Sequence, residues 1–435
     1  MASKKKIGLI TCTGIVAGNM MGSGIALLPT NLAKLGSITI IGWIIAMIGA
    51  IVWAYVYARL SNINPQEGGL IAYAGEISPV LGFQTSVLYY HANWIGNLVF
   101  CITAVSYLST FYSIFHNPVS TGITCIIIIW ILTFINILGG MWVSSLTTIG
   151  LILLLIPVVG TGIAGWHWFE IDIYKSNWNI SGNTDYNTII KSITLCLWAF
   201  IGVESATVTT NIVKNPKRNI PIATILGTCI AGVSYISATQ VIAGMYPTAQ
   251  IAASNAPFNI SVSTIVSPWA GSLVSIFITF ACLSSLCSWM MLVGQAGVRA
   301  AHDGNFPKVY GDIDKYGIPR KGLCLSAIKM TILMIIITII NVSGIQLSEL
   351  FGELTKIVVL LIILPYFYSC INLICFDNVQ CNNMLSLFIA ILGCLFCLIV
   401  LIGANYFELV GFLIISLTVL MFYAIKIRRN QLAKK

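Results

Sequence analysis

One acidic residue of this sequence lies inside a long apolar segment with no basic residue close by. Glu204, one of thirteen acidic residues, falls well within the apolar run from 188 to 212. If that run crosses a membrane, the carboxyl group of Glu204 is costly to bury. A charged residue in such a place is a functional candidate by default. A proton can neutralise the empty site, and an arriving ammonium can replace that proton. Glu204 is therefore a candidate proton-linked binding residue, with a hydrogen-bonded structural carboxylic acid as the alternative.

Aromatic residues near this segment could bind a cation without adding a fixed charge. Trp198 lies six residues before Glu204 and is the strongest candidate. A cation–π contact with an ammonium is worth about 0.5–2 kcal/mol, so the cation can still leave. For any one of these residues the alternative is a place in the aromatic belt at a membrane interface. The other candidates are Tyr73, Tyr89, Tyr90, Trp94 and Trp289.

The first long apolar segment is interrupted by Gly22, Ser23 and Gly24. Glycine weakens a helix interior by about 1 kcal/mol relative to alanine, and irregular backbone at membrane depth persists only where it is buried in protein or lines a cavity. Free amides at the start of a half-helix favour a carboxylate. A carboxylate at one end and an ammonium at the other describe a basic amino acid. Asn19 and Asn97 could orient its α-amino group, or they could hold helices together.

A second interruption, at Ile201, Gly202 and Val203, comes directly before Glu204 and five spans after the first. Paired interruptions in corresponding places indicate an inverted-repeat transporter with its site at the midplane; glycines that only pack helices are the alternative. We therefore expect an all-α membrane protein with a five-plus-five inverted repeat and broken helices 1 and 6. The 435 residues form one domain, with repeats at about 7–167 and 188–374 and two appended helices at about 383–427.

Composition excludes a soluble protein. The chain is 58% hydrophobic and 8% charged, with a mean hydropathy of +0.93, whereas globular domains carry about 25% charged residues. At about 20 residues per crossing, the apolar runs predict about twelve transmembrane helices. The predicted spans are 7–29, 38–60, 84–112, 119–139, 144–167, 188–212, 220–246, 262–297, 322–342, 348–374, 383–403 and 406–427.

The basic residues predict the orientation of the chain, since positive charge accumulates in cytoplasmic loops. If both termini are cytoplasmic, the opposite side keeps only Lys34, Lys175 and Lys191. The net charge of +9 is then a signal of topology, and we do not expect nucleic acid as a partner. The cytoplasmic side holds Lys4, Lys5, Lys6, Arg59, Lys214, Lys217, Arg218, Arg299, Lys308, Lys315, Arg320, Lys321, Lys426, Arg428, Arg429, Lys434 and Lys435.

Four further residues are candidates for a gate or a pathway. Asp303 follows span 8, and it is either a solvated loop charge or a gate contact with an arginine or a helix end. Tyr235 and Tyr423 are polar tips on apolar segments, and Tyr73 lies near the proposed site. The thirteen cysteines lie mostly inside spans, which predicts neither a metal site nor a disulfide framework. No phosphate-binding loop, dinucleotide motif or catalytic triad spacing occurs in the sequence, so we expect no cofactor and no enzymatic activity.

At these residues the sequence resembles the basic amino acid/polyamine antiporters of the amino acid–polyamine–organocation superfamily. The resemblance covers nearly all of the chain. The segments that carry it are AGNMMGSGIALLP (17–29), GGLIAYAGEISP (68–79), VLYYHANWIGN (87–97), LCLWAFIGVESA (195–206), NPKRNIPIAT (215–224) and WMMLVGQAGVRAAHDGNFPKVYG (289–311).

The resemblance implies a bacterial inner-membrane exchanger that imports lysine and exports cadaverine, in support of acid resistance with a cytoplasmic lysine decarboxylase. Proton-coupled cadaverine uptake is a second activity that we consider. Lysine would enter with a charge of about +1 and cadaverine would leave with about +2, so the cycle removes positive charge. The implied partners are lysine, cadaverine, protons, the lipid bilayer and a second copy of the chain in a homodimer.

Family positions carry over to this chain as a carboxylate site at Ser23 and Gly24, and as aromatic walls and a gate at Trp198 and Trp289. Glu204 matches the proton-linked acid. Asn93 and Ile201 complete the predicted binding set.

Two departures bear on the substrate. Arginine/agmatine relatives have tyrosine, cysteine and serine about where Ile71, Asn93 and Val358 stand, which argues against arginine. Lys356 in span 10 is unexpected, and we expect it to pair with Glu353 or to snorkel. The alternatives that remain are an ornithine/putrescine or arginine/agmatine antiporter and a lysine-binding membrane co-sensor.

Overall fold

The described residues form helices joined by turns and loops, with no β-strand among them, as predicted. In a computed structural model of the chain, residues 8–63, 69–139, 141–204, 213–341, 347–381 and 384–432 are described. The side chains of the predicted site residues Asn19 and Ser23 lie outside the described part, although their backbone lies within it.

Ten α-helices are described in the first half of the chain. They are α1 (Leu9–Met20), α2 (Ser23–Ala26), α3 (Leu28–Ala33), α4 (Thr39–Ile63), α5 (Leu70–Ile77), α6 (Pro79–Leu108), α7 (Pro118–Leu138), α8 (Met141–Ala164), α9 (Ile171–Ser176) and α10 (Asp185–Trp198).

Eight more described helices follow. They are α11 (Pro216–Met245), α12 (Thr248–Ala252), α13 (Pro257–Ile265), α14 (Pro268–His302), α15 (Arg320–Asn341), α16 (Leu347–Cys381), α17 (Met384–Gly403) and α18 (Tyr406–Leu432).

The number of crossings agrees with the sequence prediction of about twelve. Nine helices of the described residues are long and apolar enough to span a membrane. The 30-residue α6 is a further crossing by length, but polar side chains such as Gln84, His91 and Asn97 lower its hydropathy. The remaining two crossings are the broken first and sixth segments. Their pieces are each too short to span a bilayer as one helix.

The helical structure is interrupted at both predicted places. Helix α1 ends at Met20, and the backbone bends at Met21 and Gly22 before α2 begins at Ser23. In the second half α10 ends at Trp198, and residues 199–204 form turns. Gly202 has a φ of +104°, which glycine adopts without the strain that a side chain would cause. The predicted span continues over 205–212, which lie outside the described residues.

The eighth crossing begins later than predicted. We expected it from 262, but α13 occupies Pro257–Ile265 as a separate helix and α14 begins only at Pro268. Ser267 is extended, and a proline in the first turn of a helix has no amide to leave unpaired. The apolar run across this junction gave no sign of the interruption.

Helix α6 lies at the centre of the bundle and packs against α14 and α16, while α4 packs against α11 and α10. By contrast, α15, α17 and α18 expose rows of large apolar side chains, as expected of helices that face lipid. The core around α6 therefore holds the first broken segment, since α2 contacts both α6 and α14.

Loops at one face hold the first broken segment in place. We call this the outer face, following the predicted orientation. The Thr30 hydroxyl donates to the Ser254 carbonyl at 2.9 Å, and the Ser106 hydroxyl donates to the Asn255 carbonyl at 2.8 Å. The Tyr107 hydroxyl donates to the carbonyl of Ala26, the last residue of α2, at 2.8 Å. Carbonyl groups freed by a break thus obtain partners away from lipid, as the apolar environment requires.

Candidate functional site

The two breaks touch each other. Gly24, in the first broken segment, lies so close to the second that a Cβ atom built there would be 3.1 Å from the Cα of Ala199 and 3.7 Å from the Cδ1 of Trp198. A Cβ at Gly22 would be 2.4 Å from the Cε1 of Phe100 on α6. Glycine at these positions therefore allows the backbone of one interruption to approach both α6 and the other interruption.

Glu204 is buried at this junction and accepts hydrogen bonds from three elements. Only 2% of the surface of Glu204 is exposed. The Tyr366 hydroxyl of α16 donates to Oε2 at 2.6 Å, and the Gly202 amide donates to the same oxygen at 3.2 Å. The Tyr89 hydroxyl of α6 donates to Oε1 at 3.4 Å. The carboxyl group is thus fixed by the second break, α6 and α16.

Tyr366 is a site residue that the sequence analysis missed. Its ring is held edge-on by Trp53, with ring centroids 4.7 Å apart, and by Tyr57 at 5.5 Å. The only available signal was a tyrosine inside an apolar span, which is also typical of ordinary packing. Trp53 and Tyr57 hold the ring of Tyr366 in place, and its hydroxyl is thereby positioned for the short hydrogen bond to Glu204.

An aromatic group extends from the second break towards α14. Phe100 lies between the two predicted tryptophans, with its ring centroid 6.5 Å from that of Trp198 and 6.0 Å from that of Trp289. Trp198 also approaches α6 at Gly96, where a Cβ would lie 3.4 Å from its Cη2. The structure therefore brings Trp198 and Trp289 to one wall through Phe100, which the sequence analysis did not single out.

Several buried polar atoms of α6 and of Trp198 have no hydrogen-bond partner in the described residues. In the described residues, neither Oδ1 nor Nδ2 of Asn97 has a hydrogen bond, although the residue is fully buried. Oδ1 of Asn93 and Nε1 of Trp198 are buried without a partner as well, while Nδ2 of Asn93 donates to the Tyr89 carbonyl at 2.7 Å. A buried polar group without a partner costs about 1–3 kcal/mol. These atoms are therefore suited to bind a polar guest.

Tyr90 lies away from this group, although it is adjacent to Tyr89. Its hydroxyl lies 2.9 Å from the Ser326 hydroxyl of α15. The Lys329 ammonium stands 4.7 Å from the centre of its ring and 5.2 Å from that of Tyr310. Successive residues of a helix point about 100° apart, so Tyr89 and Tyr90 face different neighbours.

Three more predicted site or pathway residues are buried, namely Tyr235, Tyr73 and Ile201. Tyr235 packs behind the second break, with ring centroids 5.8 Å from Phe200 and 5.7 Å from Trp43. Tyr73 of α5 is buried, and its hydroxyl has no hydrogen bond among the described residues. Ile201 lies in the second break itself and is buried.

Asp303 and Tyr423 line one cleft of about 510 Å³ at the inner face. Asp303 pairs with Arg299 at 2.9 Å, four residues earlier in the chain, and both side chains are partly exposed. The pair is compatible with a solvated loop charge as well as with a gate contact, so the gate role stays a prediction. Farther along the same loop, the amides of Ile318 and Tyr316 and the Arg320 guanidinium hold the pKa of Asp314 below its usual range.

A second cleft, of about 470 Å³, opens at the outer face between the outer parts of both broken segments and α16. Lys34 at the end of α3 pairs with Glu349 at 3.2 Å. Lys356 pairs with Glu353 at 2.8 Å and lies 3.6 Å from a carboxylate oxygen of Glu408. The predicted pairing of Lys356 with Glu353 is therefore confirmed, and Glu408 is an additional partner.

Within the described residues, no group of three or more His, Cys, Asp or Glu side chains is placed to hold a metal ion. The polar and aromatic atoms described above instead suit an organic cation.

Known proteins resemble this chain over almost its whole length. The family model for amino acid permeases matches residues 7–427. The cadaverine/lysine antiporter of Escherichia coli K12 is 65% identical over 431 residues, which cover 99% of this chain and 97% of the relative, and that of Escherichia coli O157:H7 matches equally. The putrescine transporter PotE of Escherichia coli K12 is 32% identical over 87% of this chain and 85% of its own length.

Proposed function

The chain belongs to the amino acid permease family, and we propose that it is a bacterial inner-membrane antiporter that takes up external lysine in exchange for internal cadaverine. The observation that carries the proposal is the 65% identity, over 99% of the chain, to proteins named cadaverine/lysine antiporters. The putrescine transporters are half as similar, at 32% identity. This difference favours lysine and cadaverine over ornithine and putrescine.

The geometry around Glu204 supports recognition of a cation. A buried carboxylate needs a compensating positive charge, which here is either a proton or an ammonium group of the substrate. Tyr366 and Tyr89 hold the carboxyl group in place in both cases. Trp198, the last residue of α10 before the second break, offers a π face that attracts an ammonium without preventing its release. Glu204 is thus the proton-linked residue of the proposed cycle.

The first break distinguishes the two substrates. Lysine carries an α-carboxylate, whereas cadaverine carries a second ammonium and no carboxylate. Amides at the start of a half-helix attract anions, so the backbone at Gly22, Ser23 and Gly24 is the proposed carboxylate site. The side-chain amide of Asn97 lacks a partner in the described residues, and we propose it as the group that binds the α-amino end.

The exchange changes both charge and pH. Lysine brings in a charge of about +1, and cadaverine removes about +2. A cytoplasmic lysine decarboxylase would consume a proton for each lysine and supply the cadaverine. We further propose that both termini are cytoplasmic and that the protein works as a homodimer in the bilayer.

Proteoliposomes test this function directly. Vesicles are loaded with cadaverine, putrescine, agmatine or no amine, and the uptake of labelled lysine, ornithine and arginine is measured. Of these vesicles, we expect rapid lysine uptake only into those loaded with cadaverine. Uptake that does not depend on an internal substrate would refute the antiporter, and binding without any uptake would indicate a lysine-binding co-sensor instead. Preference for ornithine against putrescine would move the chain to the alternative substrate pair.

A further inference from the structure

Six charged side chains line the outer cleft, and their formal charges cancel. Lys34 comes from α3 and Lys191 from α10, which are the outer pieces of the two broken segments. Glu349, Glu353 and Lys356 come from α16, and Glu408 from α18. The cleft is therefore bounded by the same segments that meet at Glu204. A substrate that approaches the junction from this face meets these charges first.

Lys356 differs from the other two lysines of the cleft because it holds two carboxylates at once. Its ammonium lies 2.8 Å from Glu353 and 3.6 Å from Glu408, and its side chain is 28% exposed. Lys34 has the single partner Glu349, and Lys191 forms no ion pair in the described part of the chain. A primary ammonium on a flexible stem thus occupies the place between two acids where an ammonium of a diamine would bind.

We propose that Lys356 is a specificity-determining residue that keeps the outer cleft from attracting cadaverine back after its release. The inference rests on the proposed exchange of lysine for cadaverine. With Lys356 in place, one ammonium lies between Glu353 and Glu408, so this group of three keeps a formal charge of about −1 and a dication gains less there than it would from the bare pair of carboxylates. Without it, two carboxylates remain within 3.6 Å of one vacated point. They attract a dication more strongly than lysine, because lysine has a smaller net charge and a carboxylate that they repel.

As a consequence, the outer cleft should attract cadaverine less, relative to lysine, than it would without Lys356, and this effect is confined to the outer face. An antiporter that exports cadaverine works against a rising external concentration of its own product. A tethered ammonium that occupies the acid pair competes with each diamine that returns, but it does not hinder lysine to the same extent. Lys356 therefore favours net exchange in one direction through selectivity at the outer face, without contacting the buried junction.

The experiment uses the full-length protein in proteoliposomes loaded with lysine, so that no cadaverine export is needed. Uptake of labelled external lysine gives its KM, and external cadaverine as a competitor gives an inhibition constant. The measured quantity is the ratio of the cadaverine inhibition constant to the lysine KM. In Lys356→Met we expect this ratio to fall at least about fivefold, and the fall should shrink when the salt is raised from about 0.01 M to about 1 M, because the Debye length drops from about 30 Å to about 3 Å.

Three variants control for other causes. Lys356→Arg keeps the charge and should keep the wild-type ratio. Lys191→Met makes the same change in net charge without freeing an acid pair, so its ratio should change less than twofold. Glu353→Gln acts in the opposite sense and should raise the ratio, because the cleft becomes more positive. The Glu353 side chain is 61% exposed, so this variant should fold and keeps the test valid even if Lys356→Met is unstable.

The outcomes separate this inference from the proposed function. An unchanged ratio in both Lys356→Met and Glu353→Gln, with wild-type exchange intact, would leave Lys356 with a structural role only. An equal effect of Lys191→Met would show that net charge is sufficient and that the acid pair is not special. If wild-type protein exchanged lysine but was neither inhibited by cadaverine nor able to export it, the proposed function itself would fail.

Discussion

Tyr366 donates a hydrogen bond of 2.6 Å to Glu204 across 162 positions of the sequence. This bond connects α16 to the second broken segment at the point where the first broken segment also arrives. The Gly202 amide and the Tyr89 hydroxyl also donate to this carboxyl group. The Glu204 carboxyl group therefore connects three crossings, namely the second broken segment, α6 and α16.

We expect Glu204→Gln to lose most of the exchange of lysine for cadaverine, together with its dependence on pH. The amide keeps hydrogen bonding to Tyr366 but carries no charge to balance an ammonium. Exchange rates across a range of pH in proteoliposomes check this. A variant with the pH profile of the wild type would rule out Glu204 as the proton-linked group.

We expect Tyr366→Phe to lower exchange about tenfold or more, since a hydrogen bond to a charged group contributes about 1.5–3 kcal/mol. The change should also move the pH profile, because the Glu204 carboxylate loses a donor. Tyr57→Phe is the matched control: that ring packs against Tyr366, but its hydroxyl has only a 3.5 Å contact with Ser369. Equal effects of the two variants would point to packing and not to the hydrogen bond.

We expect Trp198→Leu to weaken the binding of both substrates, and of cadaverine at least as much as lysine. Loss of a cation–π contact costs about 0.5–2 kcal/mol, or up to about thirtyfold in affinity. Titration of each substrate with purified protein measures this. Trp269→Leu is a control. Trp269 is 69% exposed and lies in the first turn of α14, twenty residues before Trp289. Unchanged cadaverine affinity in Trp198→Leu would contradict the aromatic wall.

We expect Asn97→Leu to raise the KM for lysine without lowering the thermal stability. The amide of Asn97 has no partner among the described residues, so its removal costs the empty protein no hydrogen bond. Asn136→Leu should do the reverse, since the Asn136 amide donates to the Cys287 and Leu132 carbonyls, each at 3.0 Å. Melting curves and lysine KM values of both variants decide the matter. A destabilised Asn97→Leu protein would make Asn97 a structural residue.

We expect Asp314→Asn to loosen the inner loop at neutral pH and to make no difference in strong acid. The Ile318 and Tyr316 amides and Arg320 hold the pKa of Asp314 below its usual range. This stabilisation is present above the ordinary aspartate value of about 3.9 and is lost as the pH falls through the lower value in the folded protein. Hydrogen exchange of the Ile318 and Tyr316 amides measures it. An equal difference between wild type and variant at all pH values would contradict the assignment.

The sequence predicted the features that are written along the chain. Gly22 and Gly202 weaken helices by their own chemistry, so both breaks could be located without knowing what lies beside them. Glu204 was found in the same way, because a carboxyl group in an apolar run is conspicuous on its own. The pairing of Lys356 with Glu353 also follows from helical spacing, since residues three apart share a face.

The features that were missed depend on contacts between distant segments. Tyr366 and Phe100 resemble ordinary core residues until the fold places them beside Glu204 and Trp198. Tyr89 and Tyr90 could not be separated, because α6 is surrounded by other helices and has no polar face to show its orientation. The second partner of Lys356, Glu408, lies on another helix and was equally invisible.

The loop at 253–256 is hydrogen-bonded to the first broken crossing, so a change made in this loop can affect or report on that crossing from outside the membrane. Thr30 of α3 and Ser106 of α6 each donate a hydrogen bond to a carbonyl of this loop. If α3 swings during turnover, it must drag the loop along or release it. A fluorophore attached at Ala253, which is exposed, would therefore report movement of α3 from outside the membrane.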